Sequence, residues 1–201
     1  VEDVHRFLGA VTVIDAQAAI QGRRILFEGA QGLLLDQERG FFPYVTRSHT
    51  GLRNVLALTG EWRLERLEVT YATRAYLTRH GAGPLPGELA EKPYPDVTDP
   101  TNVPNDYQGA LRFAWLDADL LGRAIAADLN DARRFAGIAV KPRLAITCLD
   151  QLGDGPAIYC QGGRRCQARL ESLIAAVRQA TTINEVWLGR GPDRDSMSGY
   201  L

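Results

Sequence analysis

The length, composition and charge of the chain indicate one globular domain and exclude several classes of function. The chain has 201 residues, of which 45% are hydrophobic and 23% are charged, which is ample for one core and too little for two comfortable domains. The formal net charge is -1, so no field of one sign attracts nucleic acid or an acidic lipid surface. No apolar run approaches the length of about 18 residues that a membrane span requires.

The cysteines are Cys148, Cys160 and Cys166. Their odd number and their spacings match no zinc pattern, so they predict unpaired thiols in a reducing compartment. Pairing or metal binding by Cys160 and Cys166 is the alternative.

The first third of the chain predicts helices and strands in alternation. Apolar residues recur at helical spacing from Phe7 to Ala19, and Gly22 is a plausible stop. Further elements follow in the order of a buried strand from Arg24 to Glu28, a short helical or irregular piece at Leu33 to Asp36, a helix at Leu52 to Leu58, and a strand at Leu67 to Thr78 that is rich in Val, Thr and Tyr.

Residues 79–109 contain six of the ten prolines and several glycines, so we expect an irregular loop there. A loop of this length inside a domain is usually functional, and an interdomain linker is the alternative. Beyond it we predict a helix through Leu116 to Leu129, a strand at Arg143 to Leu149, a shorter strand at Ala157 to Cys160, a helix at Leu170 to Val177, and a strand at Glu185 to Gly189. This alternation predicts an α/β fold with a largely parallel sheet and flanking helices.

The segment Phe27–Gly32, with Pro43–Thr46 after it, is the most informative local feature. An apolar run ends in a turn of small residues that contains Gln31. Glycines let a backbone approach a ligand closely, and exposed N–H groups of such a turn can hold an anion. A side-chain amide there suits the edge of a base or a phosphoryl oxygen. From the residues alone, a strand followed by a structural turn is the competing interpretation.

Three blocks of sequence resemble those of the adenylosuccinate synthetase family, in the family's order. They are ILFEGAQGLLLDQERGFFPYVTRSHT (25–50), YATRAYLTRHGAGPLPGEL (71–89), which is similar to a long strand and the TRVGxGPFPTEL loop, and LGRGPDRDSM (188–197), which is similar to STGPDRxET. WLD (115–117) and TCLD (147–150) match more weakly. The resemblance covers the chain but only the C-terminal half of the family, and implies its fold, which is related to that of P-loop NTPases.

The resemblance implies a site for a purine monophosphate. Gln31, with Gly29 and Ala30 in the same turn, would contact the purine 6-position, where the phosphoryl group is attached before aspartate displaces it. Thr46 would hold the 5′-phosphate through its hydroxyl and neighbouring backbone. His80 stands where the family usually has valine beside the ribose, and Gly81 follows it. From the sequence alone, Thr46 as a strand or turn residue and His80 as an ordinary loop histidine are the alternatives.

The resemblance also implies a triphosphate site. Asp150 matches the aspartate that accepts hydrogen bonds from guanine, and Gly191 and Pro192 match the closing loop. Cys148 replaces a family lysine and Gly189 a family serine, so GTP and ATP both remain possible donors. Asp150 as a helix cap or turn residue is the structural alternative.

The loop that would hold the amino acid departs from the family pattern. The family carries TTTGRxRRxGW, whose two key arginines clamp the aspartate carboxylates, whereas this chain reads PTNVPNDYQGALRFAWLD. Aligned on Trp115, those arginines fall on Gly109 and Leu111, and only Arg112 remains nearby. A different amino donor, another source of charge, a shifted loop, or a degenerate protein that still binds nucleotide are the open explanations.

The family's glycine-rich Gly-Asp-Glu-Gly-Lys-Gly loop is not in these residues. That loop holds the catalytic base and Mg²⁺, so we expect the Mg²⁺ ligands, and the acid histidine, in an N-terminal half that precedes Val1. The compact spacing resembles archaeal and phage-like members, some of which use dGMP instead of IMP. We therefore expect a cytoplasmic, homodimeric purine nucleotide ligase with no metal ligand in these residues. A non-catalytic nucleotide-binding module, and a structural subunit that binds no monophosphate, are the alternatives.

Overall fold

The computed structural model describes residues 1–134 and 137–200, in which three helices precede a series of strands that is interrupted by two further helices. Helices α1 (Glu2–Ala10), α2 (Ala16–Ile20) and α3 (Arg53–Glu61) come first. The later elements are β1 (Arg66–Arg74), β2 (Tyr76–Arg79), β3 (Glu88–Leu89), β4 (Arg112–Asp117), α4 (Ala118–Ala132), β5 (Ala139–Thr147), β6 (Ala157–Gln161), β7 (Arg164–Ala168), α5 (Leu170–Thr181), β8 (Val186–Gly189) and β9 (Met197–Tyr200). Short 3-10 helices lie at Leu33–Leu35, Leu149–Leu152 and Arg194–Ser196.

The main sheet has the strand order β1-β5-β8-β9. β1 pairs with β5 and β5 with β8 in parallel, and β9 closes the edge antiparallel to β8. β5 is central, and its residues Leu144, Ala145 and Ile146 are all buried, as expected of a parallel strand covered on both faces. The structure confirms the predicted α/β fold with a mostly parallel sheet and flanking helices.

A second sheet is built around β4. β2 and β3 pair antiparallel to β4, β6 runs parallel to it, and β7 returns from β6 as a hairpin. The single strand predicted at Leu67 to Thr78 is therefore two strands in different sheets. The chain leaves the first sheet at Ala75, which is fully buried and donates its backbone N–H to the Thr147 carbonyl at 3.1 Å.

Helices α4 and α5 pack against each other with their apolar residues in the core. Ile125 of α4 and Leu173 and Val177 of α5 are at most 1% exposed. Asp117 caps α4 by accepting a hydrogen bond from the Leu120 N–H at 2.8 Å. The predicted helix from Leu116 thus begins later, and Leu116 belongs to β4.

Two predictions for the first 28 residues were wrong. The one expected helix is two, α1 and α2, because Val11 adopts an extended conformation. Arg24 to Glu28 forms no strand, and Leu26 is 92% exposed. An apolar run becomes a buried strand only beside a paired neighbour, and no strand in residues 1–134 or 137–200 pairs with this one.

Residues 79–109 are irregular apart from β3 and an isolated bridge between Asn105 and Gly109.

The predicted helix at Leu52 to Leu58 is confirmed as α3, and the predicted helix at Leu170 to Val177 as α5. The antiparallel strands β7 and β9 were not predicted. In the described part of the chain, no helix is both long enough and apolar enough to cross a membrane.

Candidate functional site

A cavity of about 650 Å³ lies beside the carboxyl end of β1. Its wall combines the end of β1, all of β2, the turn that contains Gln31, part of the loop 79–109, and one face of α4. In open α/β sheets, ligands bind at the carboxyl ends of parallel strands, because the loops that follow those strands meet there. The cavity volume is that of a small-molecule site.

Gln31 lines this cavity in an unusual backbone conformation. Its φ angle is +67°, in the left-handed region that costs a side-chain-bearing residue about 1 kcal/mol or more. Gly29 and Ala30, which precede it, are exposed and belong to the same irregular turn. Gln31 thus combines a strained backbone with a place on the cavity wall, which periodicity in the sequence cannot indicate.

Thr46 lies in a segment that folds back on the 3-10 helix Leu33–Leu35. The Thr46 N–H donates to the Leu35 carbonyl at 2.7 Å, and the Thr46 carbonyl accepts from the Ser48 N–H at 2.7 Å. The residue is half-buried and is not part of the cavity wall. Gln31 and Thr46 are thus joined through a short, internally bonded segment, with only Gln31 on the wall.

Asp36 fixes the shape of that segment. Its carboxylate is 2% exposed and accepts hydrogen bonds from the N–H groups of Glu38 and Thr50, both at 2.9 Å. Burial opposes ionisation of this carboxyl, but the two N–H donors, with Arg39 and His49 nearby, hold its pKa below the ordinary value. The ionised Asp36 therefore stabilises the loop that carries Thr46.

Asp128 of α4 anchors the same region to the core. The side chain is buried and accepts hydrogen bonds from Arg39 at 2.8 Å, the Leu52 N–H at 2.9 Å and the Tyr71 hydroxyl at 2.9 Å. Burial of Tyr71, together with the neighbouring Asp128 charge, raises the pKa of Tyr71 well above its ordinary value. Only glycine fits at position 51, because a Cβ on Gly51 would overlap the Asp128 carboxylate.

His80 and Gly81 bind the far part of the loop 79–109. The His80 Nε2 lies 3.1 Å from the Gly109 carbonyl, and the Gly81 N–H donates to the Gln108 carbonyl at 3.1 Å. His80 lines the cavity and Gly81 does not. Gly81 has a φ of +89°, which favours glycine at this turn.

Arg112 lies opposite Arg79 in the pairing of β4 with β2. Its guanidinium is occupied by contacts with neighbouring residues. It forms an ion pair with Glu88 at 2.7 Å and donates to the carbonyls of Gly81 at 2.9 Å and Gly83 at 2.6 Å. It does not line the cavity. Its guanidinium holds the loop together in this structure.

Arg79 is the buried cation of the cavity wall, and it was not among the predicted site residues. It is 9% exposed and donates to the Ala82 carbonyl at 2.9 Å and the Tyr44 carbonyl at 2.8 Å. Burial, and then the nearby Arg112 charge, lower the pKa of Arg79. Its position inside the TRHG block was the available signal.

Arg74, at the end of β1, holds a second part of the wall. It forms an ion pair with Asp99 at 3.0 Å, and Asp99 also accepts a hydrogen bond from the Asn102 side chain at 2.8 Å. Burial opposes ionisation of Asp99, but these donors and Thr101 hold its pKa well below the ordinary value. Burial and the adjacent Cys148 raise the pKa of Tyr76, over whose ring Arg74 lies, to about 12.

Asp150, Gly191 and Pro192 lie outside this cavity wall. Asp150 is exposed and follows β5, whereas Gly191 and Pro192 follow β8, the parallel neighbour of β5. The carboxyl ends of two adjacent parallel strands meet at one edge, so the structure brings these residues to a common edge. Gly191 lies so close to Ser196 that a Cβ would come within 2.5 Å of its Oγ.

The structure therefore groups the predicted residues into three sets. Gln31 and His80 share the cavity, while Gly29, Ala30, Thr46, Gly81 and Arg112 lie in the segments that form or support its wall, and Asp150, Gly191 and Pro192 follow β5 and β8. Across residues 1–134 and 137–200, no group of three or more His, Cys, Asp or Glu side chains is arranged to hold a metal ion.

With a mostly parallel sheet and a cavity beside a strand's carboxyl end, the chain has the architecture of α/β proteins that bind small ligands at strand ends. A family model described as adenylosuccinate synthetase matches residues 1–158. The chain belongs to the adenylosuccinate synthetase family.

Curated relatives and solved structures agree with this assignment. Adenylosuccinate synthetase of Desulfosudis oleivorans is 36% identical over 166 residues, which are 80% of this chain and 37% of that protein. That of Trichlorobacter lovleyi is 31% identical over 179 residues, 87% of this chain and 38% of that protein. The chain thus spans little more than a third of the length of these two relatives.

Two solved structures share the fold at 20% identity. The fully ligated adenylosuccinate synthetase of Plasmodium falciparum has a TM-score of 0.60, covering 97% of this chain and 53% of that one. The succinoaminodeoxyadenylate synthetase of cyanophage S-2L, bound to dGMP and to dATP as an energy donor, has a TM-score of 0.58 and covers 98% and 53%.

Proposed function

We propose that this chain is part of a purine nucleotide ligase that joins an amino acid to the 6-position of a purine monophosphate. In this reaction a nucleoside triphosphate transfers its γ-phosphoryl group to the purine 6-oxygen. The amino group then attacks C6, the C6–O bond breaks, and orthophosphate leaves. The observation that carries the proposal is the cavity in which the turn that contains Gln31 meets the TRHG segment of this chain, which corresponds to the family's TRVG.

The cavity and the segments beside it would supply separate groups around the monophosphate. Gln31 would orient the 6-position, because its amide can both donate and accept hydrogen bonds and the residue lines the cavity. Thr46, with neighbouring backbone groups, would hold the 5′-phosphate. Gly29 and Ala30 would let the nucleotide approach the turn closely. His80 and Gly81 would contact the ribose.

The edge formed by the ends of β5 and β8 would bind the triphosphate. Asp150 would accept hydrogen bonds from the base, and Gly191 and Pro192 would close over it. The donor would be GTP or ATP, because Cys148 and Gly189 differ from the family pattern that accompanies GTP. In the whole enzyme Mg²⁺ would neutralise the phosphates during transfer, and we propose a homodimer.

The identity of the purine is a separate part of the proposal. IMP is the family's ordinary substrate, and aspartate its amino donor. The cyanophage structure with bound dGMP and dATP makes dGMP the second purine to test. Arg112 would belong to the loop that holds the amino acid.

A non-catalytic purine nucleotide-binding module is a second candidate function, because one observation favours it. Gly109 and Leu111 occupy the positions where family arginines clamp the aspartate carboxylates. Arg112 is paired with Glu88 and two carbonyls rather than exposed to a ligand. This candidate predicts nucleotide binding without amino-acid-dependent release of phosphate.

Orthophosphate release distinguishes the two candidates. The gene product that contains this chain is incubated with Mg²⁺, GTP or ATP, IMP or dGMP, and aspartate or other amino acids. The ligase predicts release that requires both the monophosphate and an amino acid, and release under no combination would refute it. Gln31→Ala should reduce kcat at least about tenfold, whereas Gln167→Ala, an exposed glutamine on β7, should not.

Thr46 provides an independent test within the same assay. Thr46→Val removes the hydroxyl while keeping the shape, so KM for the monophosphate should rise by about tenfold or more. Thr70→Val on β1, where the threonine is exposed, is the matched control and should leave KM unchanged. An unchanged KM in Thr46→Val would remove Thr46 from the phosphate site.

A further inference from the structure

The cavity wall contains a buried positive charge without a negative partner. Arg79 is 9% exposed, and no carboxylate in the described part of the chain forms an ion pair with it. Burying an unpaired charge is costly, so buried cations in proteins are normally paired or bound to an anion. Arg79 lines the cavity that the proposed function assigns to the substrate.

The hydrogen bonds of Arg79 leave much of its guanidinium unused. An arginine carries five N–H donors. Arg79 donates Nε–H to the Ala82 carbonyl and one Nη2–H to the Tyr44 carbonyl, so three of its N–H donors form no hydrogen bond with the described part of the chain. Both acceptors are neutral carbonyls, so they orient the side chain and do not neutralise it.

The neighbouring arginine does not share this property. Arg112 is opposite Arg79 in the strand register, yet its charge is balanced by Glu88 at 2.7 Å. The sequence pattern assigned the remaining cationic role to Arg112. In the structure, the unbalanced charge at the cavity belongs to Arg79.

The backbone around Arg79 keeps its guanidinium in place. Gly83 has a φ of +104°, and a Cβ there would lie 2.5 Å from both the Arg79 Nη2 and the Tyr44 Cβ. The turn after β2, the guanidinium and the segment before Thr46 are thus packed together. A guanidinium held in this way offers its free donors without a further loss of side-chain freedom.

We infer that Arg79 binds an oxyanion of the substrate in this cavity, either the phosphate of the purine monophosphate or a carboxylate of the amino acid. That this oxyanion belongs to a substrate rests on the proposed function. Both groups are oxygen anions that pair well with a guanidinium. The residue would supply positive charge that the aligned arginine positions Gly109 and Leu111 do not.

Isothermal titration of the gene product that contains this chain with three probes, IMP, L-aspartate and inorganic phosphate, tests this inference. Arg79→Gln should weaken at least one of them by about tenfold or more. A loss confined to IMP and inorganic phosphate identifies the phosphate, whereas a loss confined to L-aspartate identifies the carboxylate. Arg165→Gln, which removes an exposed arginine of β7 with the same change of charge, should bind all three probes like the wild type.

Arg79→Lys is a second variant that distinguishes loss of binding from loss of folding. Lysine keeps the charge but loses the fork of donors, so a folded Arg79→Lys should retain part of the affinity that Arg79→Gln loses. A folded Arg79→Gln that binds all three probes within twofold of the wild type overturns the inference. If neither variant folds, the wild-type protein is treated with an arginine-specific reagent with and without each probe. A bound probe should slow the modification of Arg79, and an unchanged rate overturns the inference.

Failure of this inference is distinguishable from failure of the proposed function. If wild-type protein binds IMP and Arg79→Gln binds it equally, only the role of Arg79 is refuted. If the folded wild type binds neither IMP nor dGMP, the proposed nucleotide site is refuted, and phosphate or aspartate binding alone would then decide on Arg79. A wild type that binds none of the probes overturns both.

Discussion

Asp128 is the residue whose replacement should destabilise the protein most clearly. Its buried carboxylate accepts hydrogen bonds from Arg39, the Leu52 N–H and the Tyr71 hydroxyl, at 2.8, 2.9 and 2.9 Å. Asp128→Ala leaves all three donors without this acceptor. Breaking a buried charged pair costs about 3–5 kcal/mol, and Arg39 retains Asp131 as a partner, so we expect about 3–4 kcal/mol.

Asp128→Asn removes the charge of the side chain but keeps its shape, so it measures the contribution of the charge alone. The amide oxygen can still accept from Arg39 and Leu52, and the Tyr71 hydroxyl can reverse its role and accept from the amide N–H. The remaining loss is the charge, for which we expect about 2 kcal/mol. In a chain of this size each kcal/mol lowers Tm by about 2–4 °C, so Asp128→Ala should lower it by roughly 6–16 °C.

Urea unfolding followed by circular dichroism, with Tm from calorimetry, measures these changes. The matched control is Asp131→Ala, which removes the other carboxylate of Arg39 at a side chain that is 18% exposed. It should cost only about 1 kcal/mol. If Asp128→Ala is no more destabilising than Asp131→Ala, the reasoning that the Asp128 network anchors the cavity segment to the core is wrong.

Two further predictions concern packing and acid stability. Gly122→Ala should lower the free energy of unfolding by about 1–3 kcal/mol, because a Cβ would overlap the Ala180 carbonyl of α5. Gly60→Ala in α3 is the control for the same urea measurement. Nothing lies within 4 Å of a Cβ at that position, so this change should be neutral or stabilising. Asp99 has a lowered pKa in the folded state, so its contribution is present above its ordinary pKa of about 3.9 and is lost as pH falls. Asp99→Asn should therefore lower stability at pH 7 and flatten the fall of stability from about pH 5 to pH 2, and an unchanged slope would contradict the pairing with Arg74.

Three elements of the C-terminal part of the chain were predictable from the sequence. β5, α5 and β8 have apolar patterns that match their burial, so periodicity located them. The division between β1 and β2 was not predictable, because the chain changes sheets at Ala75 without a glycine or proline to mark the break.

The N-terminal segment shows why an apolar pattern alone is insufficient. Phe7 and Leu8 of α1 lie on a helix, as their spacing predicted, but they are 63% and 54% exposed. Leu26 belongs to an apolar run that predicted a buried strand, yet it is 92% exposed. Spacing determines which face of an element is apolar, whereas burial depends on what packs against that face.

The candidate site was predictable only in its motifs. Gln31 and His80 were identified in the sequence blocks that also form the cavity wall. Asp128 was missed because a buried aspartate in a helix resembles a surface aspartate until its three donors are known. Arg79 and Arg112 carry the same charge in the sequence, and only their partners in three dimensions distinguish them.

Equilibrium binding of IMP and dGMP to the folded gene product that contains this chain tests the central proposal most directly. Isothermal titration should show saturable binding of at least one of them, weakened about tenfold or more by Thr46→Val and by Gln31→Ala. Thr70→Val and Gln167→Ala should bind like the wild type. If a folded wild-type protein binds neither nucleotide, or if all four variants bind equally well, the cavity is not the purine monophosphate site.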